Sequence, residues 1–429
     1  MGPLHRSPHH EQSAASTGPM PDVGLLSGLR VLVAHPGAEL YGSDRVVLES
    51  VTGMVDAGAI VEVTVPENGP LIEELERAGA TVFVEPALVL RKSMMRPSNW
   101  PSAVVLAIRA IAAARRLLRR HPGLVYVNTI TLPLWPVLAR VRAIPTLTHI
   151  HEAEGGASRL LLRALYLPHL CANATVANSD FSRSIAERAY RSLARRTYVI
   201  YNGVPGPVAA TPARISLEGS PVHLAYVGRL SPRKGTDLVI SAAAELIDAG
   251  VDLDVDVLGE AFAGYEWYSD ELHEAVARRG IDSRVRFLGF RDDVWATLEF
   301  ADIVVIPSRI GEPFGNTAVE AALAARPLIV SESSGLLEAT QGLPGVHRVR
   351  PGEAHAIADA VREIVAAWPV ERVQAAAAAR LASLRFDPER YRGSIVELVA
   401  ELVHRPSSRS GRRLTGRGAA HVARGGARR

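Results

Sequence analysis

ADIVVIPSRIGEPFGNTAVEAALAARPLIVSES, residues 301–333, carries a strand, a turn, a helix and a second strand in one run. ADIVVIPS (301–308) is dominated by β-branched residues, the pattern of a strand buried on both faces. A Pro/Gly turn, Glu312-Pro313-Phe314-Gly315, breaks it. NTAVEAALAA then reads as a helix, and RPLIVSES (326–333) as another buried strand. Strand, helix, strand in that order is the crossover unit of a parallel sheet covered on both sides. Glu312 lies in the turn, and Glu320 stands about a turn and a half into the helix. A helix N-terminus offers unbonded N–H groups and a partial positive charge, which suit an anionic or hydroxyl-rich ligand. Glu320 is placed to accept hydrogen bonds from a diol such as ribose.

The same alternation extends outward in both directions. LRVLVAHP (29–36), AIVEVTVP (59–66), ATVFVEP (80–86), GLVYVNT (123–129), IPTLTHIHE (144–152), ATVANS (174–179) and YVIYNGV (198–204) read as strands. GVPGPVAATPARISLEGSP (203–221) is rich in Pro, Gly and Ala and loses all periodicity, which marks a linker. Strands resume with VHLAYVGRL (222–230), VDLDVDVLG (251–259) and RVRFLGF (284–290), followed by the two of the opening stretch. The reading is an α/β chain with two Rossmann-like, doubly wound domains facing a cleft. A length of 429 residues, beyond a usual single core, fits two domains. The expected divisions are a disordered tail at 1–27, a first domain at 28–204, a linker at 205–221, a second domain at 222–388, a helix at 389–404 and a disordered basic tail at 405–429. Ligands of such sheets sit at the carboxyl ends of the strands, and a cleft between domains is a preferred place for them.

Hydrophobic residues make up 48% of the chain, and mean hydropathy is +0.10, values of a globular protein. The single cysteine, Cys171, excludes an intrachain disulfide and fits a reducing compartment. The N-terminal stretch shows no apolar core of a secretory signal, and no run is long enough to span a bilayer. A cytoplasmic protein is the expectation, with peripheral placement at the inner face of the plasma membrane as the second option. The net charge of +3 comes from the end of the chain: residues 405–429 hold eight arginines and no acid, leaving 40 basic against 45 acidic residues elsewhere. A solvated tail is the plain reading of that segment; contact with anionic lipid or nucleic acid is the sharper one. Nothing else in the chain resembles a nucleic-acid motif, and no nucleic-acid partner is expected.

GRLSPRKG (228–235) follows a strand and opens a helix near Thr236. Gly228 lets the backbone turn tightly, and Arg229 and Lys234 set two cations beside a helix N-terminus, a clamp for a diphosphate. Lysine is rare here: Lys92 and Lys234 are the only two, against 46 arginines. A lysine kept under such an arginine bias points to a need for a compact point charge. The plain alternative is an exposed basic turn.

Arg229 and Lys234 in GRLSPRKG, with Glu312 and Glu320 in EPFGNTAVE, resemble the retaining glycosyltransferases of family 4, which have the GT-B fold. AELYGSDRVVLE (38–49), HIHE (149–152), NSDFSRS (178–184), YNGV (201–204), RVRFLGF (284–290) and AARPLIVSESSGLLE (324–338) agree in order, so the likeness covers roughly residues 29–404. The resemblance implies a hexosyltransferase using a nucleotide diphosphate sugar, a glycan or lipid-linked acceptor, no cofactor and no metal. It implies an acceptor-binding first domain, a donor-binding second domain, and a last helix that packs back on the first. Arg229 and Lys234 would hold the donor diphosphate and offset the charge that builds on it. Glu312, helped by the N–H groups of Phe314 and Gly315, would meet the donor sugar, and Asn316 would lie beside them. Glu320 would bind the ribose, and the loop at Phe290 would border the nucleobase. Gly37 and Gly42 would approach phosphates and acceptor. A histidine of HIHE would touch the donor sugar; His149 and His151 share a strand face, so spacing does not separate them, and motif position favours His151. Arg229, Lys234, Glu312 and His151 are the catalytic candidates. Three departures stand out. GAELYG replaces adjacent glycines, SSGLLE has one glycine where a pair is frequent, and Arg326 stands where glycine is common; the last two bear on donor-sugar selection.

Two other segments admit more than one reading. Asp252, Asp254 and Asp256 fall on one strand face, which suggests a metal site or, more plainly, a solvated sheet edge. VVLAIRAIAAARRLLRR (104–120) is a helix with Arg109, Arg116 and Arg120 on one side and Val104, Ala107, Ile111 and Leu118 on the other. Its plain role is to pack that apolar side on the sheet; its sharper role is to lie on an anionic membrane. For the whole chain, a nucleotide-sugar 2-epimerase and a non-catalytic GT-B partner subunit are the alternatives to the transferase.

Overall fold

A computed structural model describes residues 24–404, apart from 92, 93, 95, 153, 154, 263 and 292. The basic tail at 405–429 and most of the expected N-terminal tail therefore lie outside the described residues. Residues 24–27 correct the expected tail boundary: Leu26 is buried in the core and its N–H donates to the Ala57 carbonyl at 2.9 Å.

Strands and α-helices alternate through the first half, with two consecutive α-helices before its last strand. β1 (Arg30–Ala34) leads to α1 (Gly42–Asp56), β2 (Ile60–Val65), α2 (Leu71–Arg77) and β3 (Thr81–Val84). Then come α3 (Trp100–Leu118), β4 (Leu124–Val127), α4 (Leu134–Val141), β5 (Thr146–Ile150) and α5 (Arg159–Tyr166). β6 (Ala174–Ala177), α6 (Asp180–Ala189), α7 (Arg191–Ala194) and β7 (Thr197–Val199) complete it. The second half begins with β8 (Val222–Val227), α8 (Thr236–Asp248), β9 (Leu253–Leu258), α9 (Glu266–Arg278) and β10 (Val285–Gly289). It continues with α10 (Trp295–Phe300), β11 (Ile303–Ile306), α11 (Asn316–Leu323), β12 (Leu328–Ser331), α12 (Ser334–Ala339) and β13 (Val346–Val349). Three helices end the described chain: α13 (Ala354–Ala366), α14 (Trp368–Arg385) and α15 (Pro388–His404).

Both sheets are parallel throughout the paired strands. The first has the order β3-β2-β1-β4-β5-β6-β7, the second β10-β9-β8-β11-β12-β13. The β-branched runs are strands because helices cover both of their faces: β4, β5, β11 and β12 are buried at every position. Strand order reverses between β1 and β4 and again between β8 and β11, and a crevice opens at each reversal. The chain crosses between the halves twice. Residues 200–221 hold no helix or strand, and α14 runs into α15, which returns to the first half. There Tyr391, Ile395, Val396 and Val399 join the core of β1, β2, α1 and α2. The Tyr391 hydroxyl reaches Ser50 Oγ at 2.5 Å.

Three sequence expectations are corrected. β13, the sixth strand of the second sheet, was not foreseen: VHRV lacks a β-branched run because an edge strand needs only one covered face. β9 is no edge, since β8 and β10 flank it, and its acids are not simply solvated. Asp256 is buried and paired with Arg286 at 2.6 Å, while Arg284 lies 2.8 Å from Asp252 and 3.2 Å from Asp254. Helix α3 buries Ala110, Ala113, Ala114, Leu117 and Leu118, all in its second half. Val104, expected to face the sheet, is exposed, because the core under this helix begins only at Ala110.

Candidate functional site

The loops that follow β1, β8 and β11 leave the sheets at the two reversals and meet across a cleft of about 300 Å³. Gly228, Arg229, Lys234, Phe290, Glu312, Phe314, Gly315, Asn316 and Glu320 line its wall from the second half, and Gly42 and His151 from the first. Gly37 lies in the loop that leads from β1 to Gly42, the first residue of α1, but is not on the cleft wall.

Glu312 is the centre of the second-half wall. It is buried, and its Oε1 accepts from Lys234 Nζ at 2.9 Å and from Ser308 Oγ at 2.7 Å; Arg233 Nη1 stands 3.7 Å away. Burial alone pushes its carboxyl upward, but Lys234, Arg233 and these hydrogen bonds outweigh burial and hold it below the ordinary range. Glu312 is therefore an anion that accepts hydrogen bonds, not a proton donor. Glu320 differs: it is half-buried, burial raises its carboxyl, and Arg45 and Lys234 offset only part of that.

Helix α11 begins between these two acids. Gly315 forms its cap at φ 112°, a left-handed conformation that a side chain would strain, and no side chain caps the first turn. The N–H groups of Asn316 and Thr317 thus have no acceptor within the helix. The turn before it is pressed against α12: a methyl group on Gly335 would sit 2.2 Å from the Glu312 carbonyl. The lone glycine of SSGLLE is a packing requirement of the site. The Phe314 ring points away into the core, against Tyr201 and Phe386, so only its backbone is available to a ligand.

Across the cleft, the HIHE histidines separate. His149 is buried, with Nδ1 2.6 Å from the Tyr126 hydroxyl, whereas His151 lines the cleft. His151 is held by a relay. Asp44 accepts from Tyr41 N–H at 2.9 Å and bonds His35 Nε2 at 2.8 Å; His35 Nδ1 meets Asn128 Nδ2 at 3.0 Å; Asn128 Oδ1 meets His151 Nε2 at 2.9 Å. A carboxylate only accepts, so His35 donates through Nε2 and accepts through Nδ1, and the Asn128 oxygen is left to accept from His151 Nε2–H. His151 then carries its free lone pair on Nδ1. Burial first, and His35 next, lower its pKa to about 3, so the ring is a neutral acceptor.

Contacts between the halves close the cleft. Arg229 lies over the Tyr41 ring at 3.8 Å, and Tyr41 meets Phe290 edge-on at 5.3 Å. Asn202 Nδ2 donates to Asn316 Oδ1 at 2.8 Å. Glu338 accepts from the N–H groups of Asp180 at 2.7 Å and Phe181 at 3.1 Å, where α6 begins.

Comparison with known proteins fits this geometry. The family model described as Glycosyltransferase Family 4 matches residues 41–205, and that described as Glycosyl transferases group 1 matches residues 221–367. The chain belongs to glycosyltransferase family 4. D-inositol 3-phosphate glycosyltransferase of Mycobacterium sp. (strain JLS) is 27% identical over 348 residues, 73% of this chain and 75% of the relative. 2-deoxystreptamine glucosyltransferase of Streptomyces kanamyceticus is 31% identical over 150 residues, 34% of this chain and 37% of the relative. Among solved structures, Anabaena HepE in complex with UDP and glucose superimposes with a TM-score of 0.73 at 23% identity, covering 87% of this chain and 99% of that one. The fold is GT-B, and the enzyme is a glycosyltransferase.

Within this family member, the departures noted in the sequence take on physical meaning. Arg326 does not reach the cleft wall. It is buried and donates to the carbonyls of Leu298, Thr211, Ala324, Ala325 and Glu299, tying the linker to the second sheet. Its bearing on donor-sugar selection is thus corrected: it is a structural arginine. GAELYG, by contrast, supplies Tyr41, to which the sequence reading gave no role and which props the Arg229 guanidinium. Arg233 was also missed, although the basic cluster Pro232-Arg233-Lys234 signalled it. Among the described residues, no group of three or more His, Cys, Asp or Glu side chains is arranged to hold a metal, and no helix is long and apolar enough to cross a membrane.

Proposed function

We propose that this enzyme transfers a hexose, with retention, from a nucleotide diphosphate sugar to a glycan or lipid-linked acceptor. The observation that carries the reading is the convergence of Arg229, Arg233 and Lys234 with Glu312 on one wall of the cleft, opposite His151. A diphosphate fits the cations, and a sugar bearing hydroxyls fits the acceptors Glu312 and His151 beside it. The ribose lies at Glu320 and the base near Phe290. As the bond between the anomeric carbon and the β-phosphate oxygen breaks, negative charge builds on the diphosphate, and the cations stabilise it in a partly enclosed site. The acceptor hydroxyl forms the new C–O bond on the same face, and its proton passes to the departing phosphate oxygen. Glu312, already bonded to Lys234 and Ser308, fixes the sugar. The cations and the α11 N-terminus do the work a metal does elsewhere. The HepE complex with UDP and glucose lends support for the donor class.

A panel of UDP-, GDP- and ADP-hexoses, scored by thermal shift and by slow hydrolysis without acceptor, tests this. One nucleotide sugar should raise the melting temperature by mass action and release free hexose. A panel that leaves stability and donor intact would overturn the reading, and release of a 2-epimer in place of hexose would favour an isomerase.

A further inference from the structure

The outer helices of the first domain carry a second feature with no part in the cleft. Residues 86–151 contain ten Lys and Arg and no Asp or Glu, in a chain whose remaining body is acidic. Helices α3, α4 and α5 contain no acid at all. All three lie on one side of the sheet. Helices α3 and α4 pack on Leu32, Ala34, Val125 and Val127, and α5 on Ile150, whereas α1, α2 and α15 cover the alternate residues Val31, Val33, Leu124 and Leu147.

The outward surface of this layer is apolar as well as basic. Trp100 is 59% exposed, Val104 59% and Ile108 63% on α3; Val141 is 79% exposed on α4; Leu160 is 80% and Leu167 56% at α5. Arg115, Arg159 and Arg163 are exposed on these helices, and Arg119 and Arg142 are exposed at the C-terminal caps of α3 and α4. Arg116 and Arg120 are instead tied to Glu85 and Glu62. Large exposed apolar patches mark interaction sites. Charge complementarity selects an anionic partner. Bare aliphatic side chains and a tryptophan among the arginines select the one that takes both, a headgroup layer over acyl chains; a nucleic acid backbone would leave them in water.

We propose that the α3–α4–α5 face docks on an anionic lipid bilayer. Helix α5 starts a few residues beyond His151, so docking on this face brings the rim of the cleft to the membrane surface. The proposal does not depend on the identity of the donor.

The test is sedimentation of the full chain with vesicles of phosphatidylcholine alone and of phosphatidylcholine with phosphatidylglycerol. The protein should partition onto the anionic vesicles at least about tenfold more strongly, and salt should weaken binding. Val104→Asp with Ile108→Asp, and separately Arg115→Glu with Arg119→Glu, should each reduce partitioning by about tenfold or more while leaving the melting temperature unchanged, as exposed positions allow. Anionic vesicles should shift the tryptophan fluorescence to the blue, and Trp100→Phe should abolish the shift. A chain ending at His404 should still bind. Equal binding by both double variants, or loss of binding on removal of 405–429 alone, would overturn the proposal. So would dimer formation through this face, or tight binding to DNA, with no affinity for the vesicles.

Discussion

The Lys234 ammonium lies 2.9 Å from Oε1 of Glu312, within the turn that precedes α11. This pair joins the two motifs of the site, one from the loop after β8 and one from the loop after β11. Against the push of burial, Lys234 and Arg233 hold the Glu312 carboxyl below its ordinary range, and the pair fixes the ammonium against the turn. In the proposed reaction a donor diphosphate would share Lys234 with Glu312, so this one cation would face both the phosphate and the sugar ends.

Lys234→Ala and Arg229→Ala should each weaken nucleoside diphosphate binding by roughly ten- to a hundredfold, the worth of a charge-assisted hydrogen bond. Asp254→Ala, on β9 and away from the cleft, should not. Isothermal titration with UDP and the other diphosphates makes the comparison; unchanged affinity in both cation variants would remove the assigned donor site.

Tyr41→Ala should release the Arg229 guanidinium from its ring platform and weaken diphosphate binding about fivefold, since such a contact contributes about 1 kcal/mol. Tyr41→Phe keeps the ring and should bind as the parent does. Equal loss in both variants would mean that the hydroxyl, and not the ring, matters.

Glu338→Ala should loosen the closed arrangement, because its carboxylate caps α6 from the opposite half. A loss on the order of 1 kcal/mol is expected for an anion at a helix N-terminus. Small-angle scattering should show a larger radius of gyration, and Glu338→Gln should recover part of the change. Scattering identical to the parent would show that closure does not depend on this contact.

Acid should destabilise the protein before its carboxylates titrate. Burial depresses His149, His151 and His169, the last two to about 3 and about 4. An unfolded histidine titrates near 6.5. Between those values the unfolded chain binds the extra protons, so stability is full above pH ~6.5 and falls as pH drops toward the folded values. His169 alone corresponds to a loss on the order of 2 kcal/mol at pH ~5. Urea unfolding at pH ~7.5 and ~5 measures it. His169→Gln should shrink the difference by that amount; a difference of the same size would assign the acid sensitivity elsewhere.

Some of this was present in the order of residues alone. β-branched runs punctuated by glycine and proline announce buried parallel strands, because burial on both faces and a change of backbone direction leave local marks. Arg229, Lys234, Glu312 and Glu320 were readable for the same reason: each sits in or beside a turn between a strand and a helix, where sequence neighbours are also spatial neighbours. Packing between distant segments settled the rest. His149 and His151 share a strand face, and only the positions of Tyr126 and Asn128 bury one ring and turn the other to the cleft. Tyr41 meets Arg229 because two sheets face each other. Arg326 is structural because five carbonyls converge on it. The apolar half of α3 is bare because the core beneath it ends, a boundary set by the sheet and not by helical periodicity.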